Sequence, residues 1–169
     1  MSEIKEQHQE LMKAEILAAK GNEKMLYDLQ PKAYHLLLQE FKQKAASKDP
    51  LKRLEEICKT YLNFGLENPE TYELMFVPVL DESTGKVMLH NEKDVEVFNY
   101  FTDCLENCMR REAVRFKSAE VGALQIWSMM HGLISLNLRS RISVIGIADE
   151  LVPVTLNKTV DHFLASITR

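Results

Sequence analysis

From residue 121 to residue 138 the chain reads VGALQIWSMMHGLISLNL, without one charged side chain. Such a segment must be shielded from water on most sides, and only a bilayer or the inside of a protein can do that. It just reaches the roughly 18 residues at which a membrane span becomes a candidate. Gln125, Ser128, His131, Ser135 and Asn137 decide against the bilayer. Each would set a polar group in hydrocarbon, whereas neighbouring helices accept such groups readily. The segment therefore predicts a central, buried helix, and the rest of the chain has to provide its cover.

What remains is suited to that task. The 169 residues are 46% hydrophobic and 27% charged, with only 6 Gly and 5 Pro. A chain of that size makes one domain, or a small head on a larger body, and so few breakers favour long helices. Punctuation falls where helices begin. Asp49-Pro50 and Asn68-Pro69 each place a capping side chain before a proline at a first helical position. After the first, Leu51, Leu54, Cys58, Tyr61 and Leu62 recur at helical spacing, which predicts an amphipathic helix to about Leu66. The second predicts a short helix to about Phe76, stopped by Pro78. Residues 81–91 read as a loop, with a small hairpin around Gly85 as one option. A long helix is predicted from Asn91 to about Phe116, and Ser118 caps the uncharged one. Residues 140–153 read as a connection, and a last helix runs from about Pro153 to Ile167. Upstream, residues 32–44 are helical, and residues 25–29 join them through a kink or break at Pro31. The expected fold class is all-α.

Several functions are disfavoured on this basis. A formal charge of −4, with the first 60 residues near neutral and the remainder acidic, argues against a body that wraps nucleic acid. The three cysteines are too few for a disulfide framework and suggest a reducing compartment. The charged N-terminus lacks the apolar stretch of a secretory signal, so a cytoplasmic location is expected, with no membrane partner. Catalysis finds no phosphate-binding glycine loop, nucleophile elbow or HExxH helix, so the chain reads as a non-enzyme. Cys104 and Cys108 stand one turn apart with no further ligand at metal spacing, so neither a metal nor another cofactor is expected.

Two apolar helices suggest association. Gly122, Gln125, Met129, Gly132 and Leu136 fall on one side of the uncharged helix, and Leu156, Val160, Phe163 and Ile167 form a stripe on the last. A single chain has too few other helices to cover both, which predicts a two-fold homodimer joined through a four-helix bundle; burial within one chain is the alternative.

Residues 54–76 (LEEICKTYLNFGLENPETYELMF) and the Trp127, His131, Gly132 set in IWSMMHGLISL resemble tetracycline-repressor (TetR) family regulators whose C-terminal domain carries a Trp-His-Gly signature. The resemblance spans about residues 23–169. It implies a dimeric, all-helical transcription factor acting as a repressor, with an N-terminal helix-turn-helix head on operator DNA and a C-terminal body that takes a small, largely apolar effector. Residues 5–20 resemble the first helix of such a head, and residues 20–29 the start of the helix that connects head to body. The second helix and the recognition helix, roughly 30 to 40 residues at ordinary lengths, have no place between them. Residues 1–22 thus read as a remnant of the head and residues 23–169 as the effector-binding and dimerisation domain. Either an internal segment is lacking from this sequence or the head has been deleted. Operator DNA is a partner only of a protein that has the head, and the alternative is a headless helical module that binds ligand or pairs with full-length relatives.

Trp127 and His131, four residues apart, share a helix face with Met130. On the effector reading they face a cavity, His131 serving as a polar anchor. Tyr61, Phe64, Tyr72, Phe76, Phe98 and Phe101 are the other expected lining residues. For each of them the competing expectation is plain core packing, and for His131 a buried imidazole bonded within the protein.

Overall fold

A computed structural model describes residues 2–78, 84, 85, 87 and 92–169, with side chains from Glu6 onward. The described residues form seven α-helices: α1 (Ser2–Ala18), α2 (Glu23–Lys44), α3 (Pro50–Glu67), α4 (Pro69–Leu74), α5 (Glu92–Arg110), α6 (Ala119–Leu138) and α7 (Val152–Ile167). The expectation of an all-α fold is met. The connection at 140–153 contains two 3₁₀ turns, Ile142–Ile145 and Asp149–Leu151. The suggested hairpin at 81–91 lies largely outside the described residues.

Local chemistry explains most of the boundaries. The Asp49 side chain accepts from the Lys52 amide at 2.8 Å with Pro50 at the first helical position, and Ser118 Oγ accepts from Val121 N at 3.2 Å. Asn22 does the same for Met25 at the start of α2. Asn68 behaves differently from the sequence reading. Its buried amide donates back to the Phe64 carbonyl at 3.0 Å, so it closes α3 instead of capping α4.

The long helix α5 ends at Arg110, six residues short of the expected Phe116. Glu112 enters the left-handed region at φ 53°. The amides of Glu112 and Ala113 then bond the carbonyls of Met109 and Cys108 at 2.9 Å each. That is a Schellman end built without glycine. Ser140 (φ 53°) ends α6 in the same way. Past α5 the chain pairs with the C-terminus: Arg115 N donates to Ile167 O at 2.9 Å and Arg169 N to Ala113 O at 3.1 Å. Pro31 does not break α2, which runs unbroken through it. Lacking an N–H, Pro31 leaves only the Tyr27 carbonyl without its helical partner.

The hub of the packing is α3, which touches α2, α4, α5, α6 and α7. It buries Leu54, Ile57, Cys58, Tyr61, Leu62, Phe64 and Gly65. The uncharged α6 packs on α3 and α5, yet it is not covered all round. Val121, Leu124 and Leu136 are each more than half exposed. Two glycines set the helix spacing: a Cβ on Gly65 would stand 2.7 Å from Ile134 Cδ1, and one on Gly122 would stand 2.8 Å from Leu105 and Phe116. At its N-terminal end the fold takes in α1, which packs on α4 and α2 and sends Met12 and Ile16 into the common core.

Candidate functional site

Four helices, α2, α3, α5 and α6, leave a cavity of about 350 Å³ between them, closed on one side by Met75 and Phe76 just after α4. Tyr34, Leu37 and Phe41 line it from α2, and Ile57, Cys58 and Tyr61 from α3. Asp94, Val95, Val97, Phe98 and Phe101 contribute from α5, and Ile126, Trp127 and Met130 from α6. The volume is at the lower end of the roughly 300–1,000 Å³ usual for small-molecule sites, and the walls are apolar and aromatic as such sites are.

The aromatic side chains are interlocked. Trp127 meets Phe98 edge-on at 5.8 Å between centroids and Phe76 at 6.3 Å. Its indole N–H donates to the Tyr61 hydroxyl at 2.8 Å. From there Tyr61 and Tyr72 share a hydrogen bond of 3.1 Å, and Tyr72 bonds His131 Nδ1 at 2.8 Å.

The direction of this chain follows from counting protons. An indole can only donate, and the buried Tyr61 hydroxyl has one proton whose available acceptor is Tyr72. Tyr72 must then donate to His131 Nδ1, so the imidazole is the neutral acceptor with its proton on Nε2. Burial, with the nearby Arg139 charge, holds the His131 pKa below its ordinary value, in keeping with that state. Burial likewise pushes the Tyr61 phenol up to about 12 and raises Tyr72. The Cys58 thiol is also pushed up to about 12 by burial, so it serves the wall as an apolar group.

One wall is tethered at both ends. Gln30, buried on α2, donates to the carbonyls of Leu74 and Val77 at 3.1 and 2.7 Å, and Tyr34 OH donates to Met75 O at 2.9 Å. These bonds fasten carbonyls at and just past the C-terminal end of α4, of which Leu74 O also accepts from Val77 N at 3.2 Å. At the other end of α2, Ala45 O accepts from Arg53 Nε at 3.1 Å and from Tyr100 OH at 2.9 Å, while the Tyr100 ring stacks on Phe41.

Of the expected effector residues, Tyr61, Phe76, Phe98, Phe101, Trp127 and Met130 line the cavity. Tyr72 and His131 stand behind that wall and orient it through Tyr61, and Phe64 is buried in the core. The sequence reading missed Leu37, Phe41, Ile57, Val97 and Ile126, whose spacing marks only a buried face. It also missed Asp94, which looks like an ordinary acidic residue in a helix's first turn.

Of the expected interface residues, Gly122, Leu156, Val160 and Ile167 are covered within the protomer, and Met129 and Phe163 partly so. Gln125 and Leu136 are exposed. At Gly132 nothing among the described residues stands within 4 Å of an added Cβ. The described residues hold no group of three or more His, Cys, Asp or Glu that could bind a metal, and none of their helices is long and apolar enough to cross a membrane.

Comparison with known proteins agrees with this architecture. A solved structure titled as a protein with unknown function from Rhodococcus sp. RHA1 superposes with a TM-score of 0.67 at 15% identity, covering 89% of this chain and 76% of that one. At that identity the likeness is one of fold. No curated protein matches the sequence. The family model described as "Tetracyclin repressor-like, C-terminal domain" matches residues 54–157, from within α3 through α6 to the start of α7. The chain therefore belongs to the tetracycline-repressor-like C-terminal domain family.

Proposed function

We propose that this chain is the effector-binding and dimerisation body of a TetR-family transcriptional regulator, a binding protein and not an enzyme. The observation that carries the reading is the apolar cavity having α2, the helix nearest the N-terminal segment, as one of its walls. Domains of this family dimerise and bind small effectors. A small apolar effector in this cavity presses on Tyr34, Leu37 and Phe41 of α2 and on Met75 and Phe76 beyond α4, the elements that the Tyr34–Met75 bond holds together. Moving α2 changes the separation of any heads attached to its N-terminal end in a dimer. Operator half-sites lie about 34 to 36 Å apart, so a shift of a few ångströms removes the fit to both grooves. Effector and operator are then negatively coupled, provided the effector prefers the non-binding arrangement.

Dimerisation through α6 is part of the proposal. Val121, Leu124, Gln125, Ser128, Gly132, Ser135 and Leu136 form an uncharged outward stripe, rotated by about one residue from the one expected in the sequence. The space over Gly132 suits close approach of a second helix.

The test of the cavity is energy transfer from Trp127, the single tryptophan, to the neutral apolar dye N-phenyl-1-naphthylamine. Saturable transfer that is lost in Met130→Trp/Trp127→Phe, a cavity-filling variant that keeps one tryptophan, is expected. Transfer that is absent or non-saturable in the wild type sinks the reading.

A second reading is favoured by the junction of α1 and α2. The two helices are separated only by a turn through Gly21 (φ 83°), leaving no recognition helix between them. On this reading the chain binds ligand or pairs with headed relatives without contacting DNA itself. The intact mass of the protein isolated from its cells separates the two: excess mass of about 30 to 40 residues restores a head, and a mass equal to this sequence supports the headless module.

A further inference from the structure

Resting on the cavity reading above, we infer that the effector is a hydrocarbon-like molecule with no carbonyl, carboxylate or phosphate oxygen, and that the Trp127–Tyr61–Tyr72–His131 chain excludes such groups. An oxygen of that kind gives up strong hydrogen bonds to water on entering an apolar site, and only a donor in the wall restores them. The wall spends its donors on itself. Among the described residues that line the cavity, three side chains carry strong O–H or N–H donors: Tyr34, Tyr61 and Trp127. Tyr34 donates to Met75 O at 2.9 Å, Trp127 to Tyr61 at 2.8 Å, and Tyr61 to Tyr72 at 3.1 Å. The amides of Met75 and Phe76, the lining residues that follow α4, bond the carbonyls of Tyr72 and Glu73 at 3.2 and 3.0 Å. Asp94 is engaged within the protein as well, and the buried Cys58 thiol is a weak donor. What the wall offers instead is the rings of Phe76, Phe98 and Trp127 and the thioethers of Met75 and Met130, which hold a ligand by dispersion and ring contacts.

The direction of the chain makes Tyr61 the residue on which this selectivity turns. Its proton goes to Tyr72 because Tyr72 passes its own to His131 Nδ1. While the imidazole accepts there, no hydroxyl of the chain has a proton left for a ligand. Breaking either downstream link releases one. In Tyr72→Phe the Tyr61 proton has no acceptor. In His131→Leu the Tyr72 hydroxyl turns its proton back to Tyr61, which frees the Tyr61 proton in turn. Neither Tyr72 nor His131 lines the cavity, so each variant places one uncommitted O–H in the wall without changing a lining side chain.

The test uses two probes of the same shape, α-methylstyrene and acetophenone, which differ in a terminal CH₂ against a carbonyl oxygen. Each is made to displace bound N-phenyl-1-naphthylamine, followed by equilibrium dialysis, from the wild type, Tyr72→Phe and His131→Leu. The hydrocarbon is expected to bind the wild type at least about tenfold more tightly than the ketone, the cost of burying a carbonyl without a donor. In either variant the ketone is expected to gain about tenfold, with the hydrocarbon within about twofold of its wild-type affinity. One folded variant is enough, and should both fail to fold the wild-type ratio decides. A smaller wild-type preference, failure of both probes to displace a dye that binds, or an unchanged ratio in a folded variant overturns the inference and leaves the cavity reading intact. Refusal of the dye by the wild type removes the cavity reading itself.

Discussion

His131 has a protonation state that its neighbours dictate. A second proton would sit on Nδ1, where Tyr72 now donates at 2.8 Å. The hydroxyls would have to reverse, and the proton of the buried Tyr61 would lose its acceptor. Because the folded pKa lies below the ordinary 6.5, the unfolded chain takes up that proton first. His131 therefore stabilises the fold fully above about pH 6.5 and loses its contribution as the pH falls from there through the lower folded value. Urea midpoints at pH 7.5 and 5.5 are expected to differ less in His131→Gln than in the wild type, and equal differences would refute the argument. Tyr72→Phe removes the link between Tyr61 and His131 and leaves two groups short of a partner. A loss of about 1–3 kcal/mol is expected in urea denaturation, with the red-shifted Trp127 emission of a loosened wall. That Trp127 and His131 share a helix face was legible in their spacing. Their partners were not, because Tyr61 and Tyr72 come from other helices and only the packing of α3, α4 and α6 aims all four at one another.

At the scale of elements, a helix's start was easier to read than its end. Asp49-Pro50 and Ser118 announce α3 and α6 because capping is a local hydrogen bond between residues three apart. The ends of α5 and α6 depend on Glu112 and Ser140 in left-handed conformations. Neither residue type signals that state; at Glu112 the pairing of residues 113–115 with the C-terminus accompanies it. Gly65 shows how an element's placement can hang on one missing side chain. The Cβ of alanine there would meet three atoms of Ile134, at 2.7, 2.8 and 3.1 Å. A β-branched side chain buried on α6 cannot turn all three away. Gly65→Ala is expected to destabilise by about 1–3 kcal/mol, measured by chemical denaturation, with Ile134→Val in the same chain recovering part of the loss. A cost below about 0.5 kcal/mol would mean that the two helices separate without penalty.

For the whole molecule, the exposed side of α6 carries the proposed dimer interface. Gly132→Glu places a charge on the proposed interface, and the Cβ it adds has nothing among the described residues within 4 Å. Sedimentation is expected to give a dimer for the wild type and a monomer for Gly132→Glu, with the circular dichroism of the protomer unchanged. A wild type that sediments as a monomer at tens of micromolar would remove the interface. Periodicity, caps and an uncharged run are properties of neighbouring residues, and so the all-α class, most helix starts and the family were legible along the chain. Tertiary structure alone decided that α3, and not α6, is the hub, that Gly122 and the α7 stripe face inward, and that Asp94 reaches an aromatic cavity. Each of these depends on which helix lies against which, and a helix's own sequence states only that a face must be covered, not what covers it.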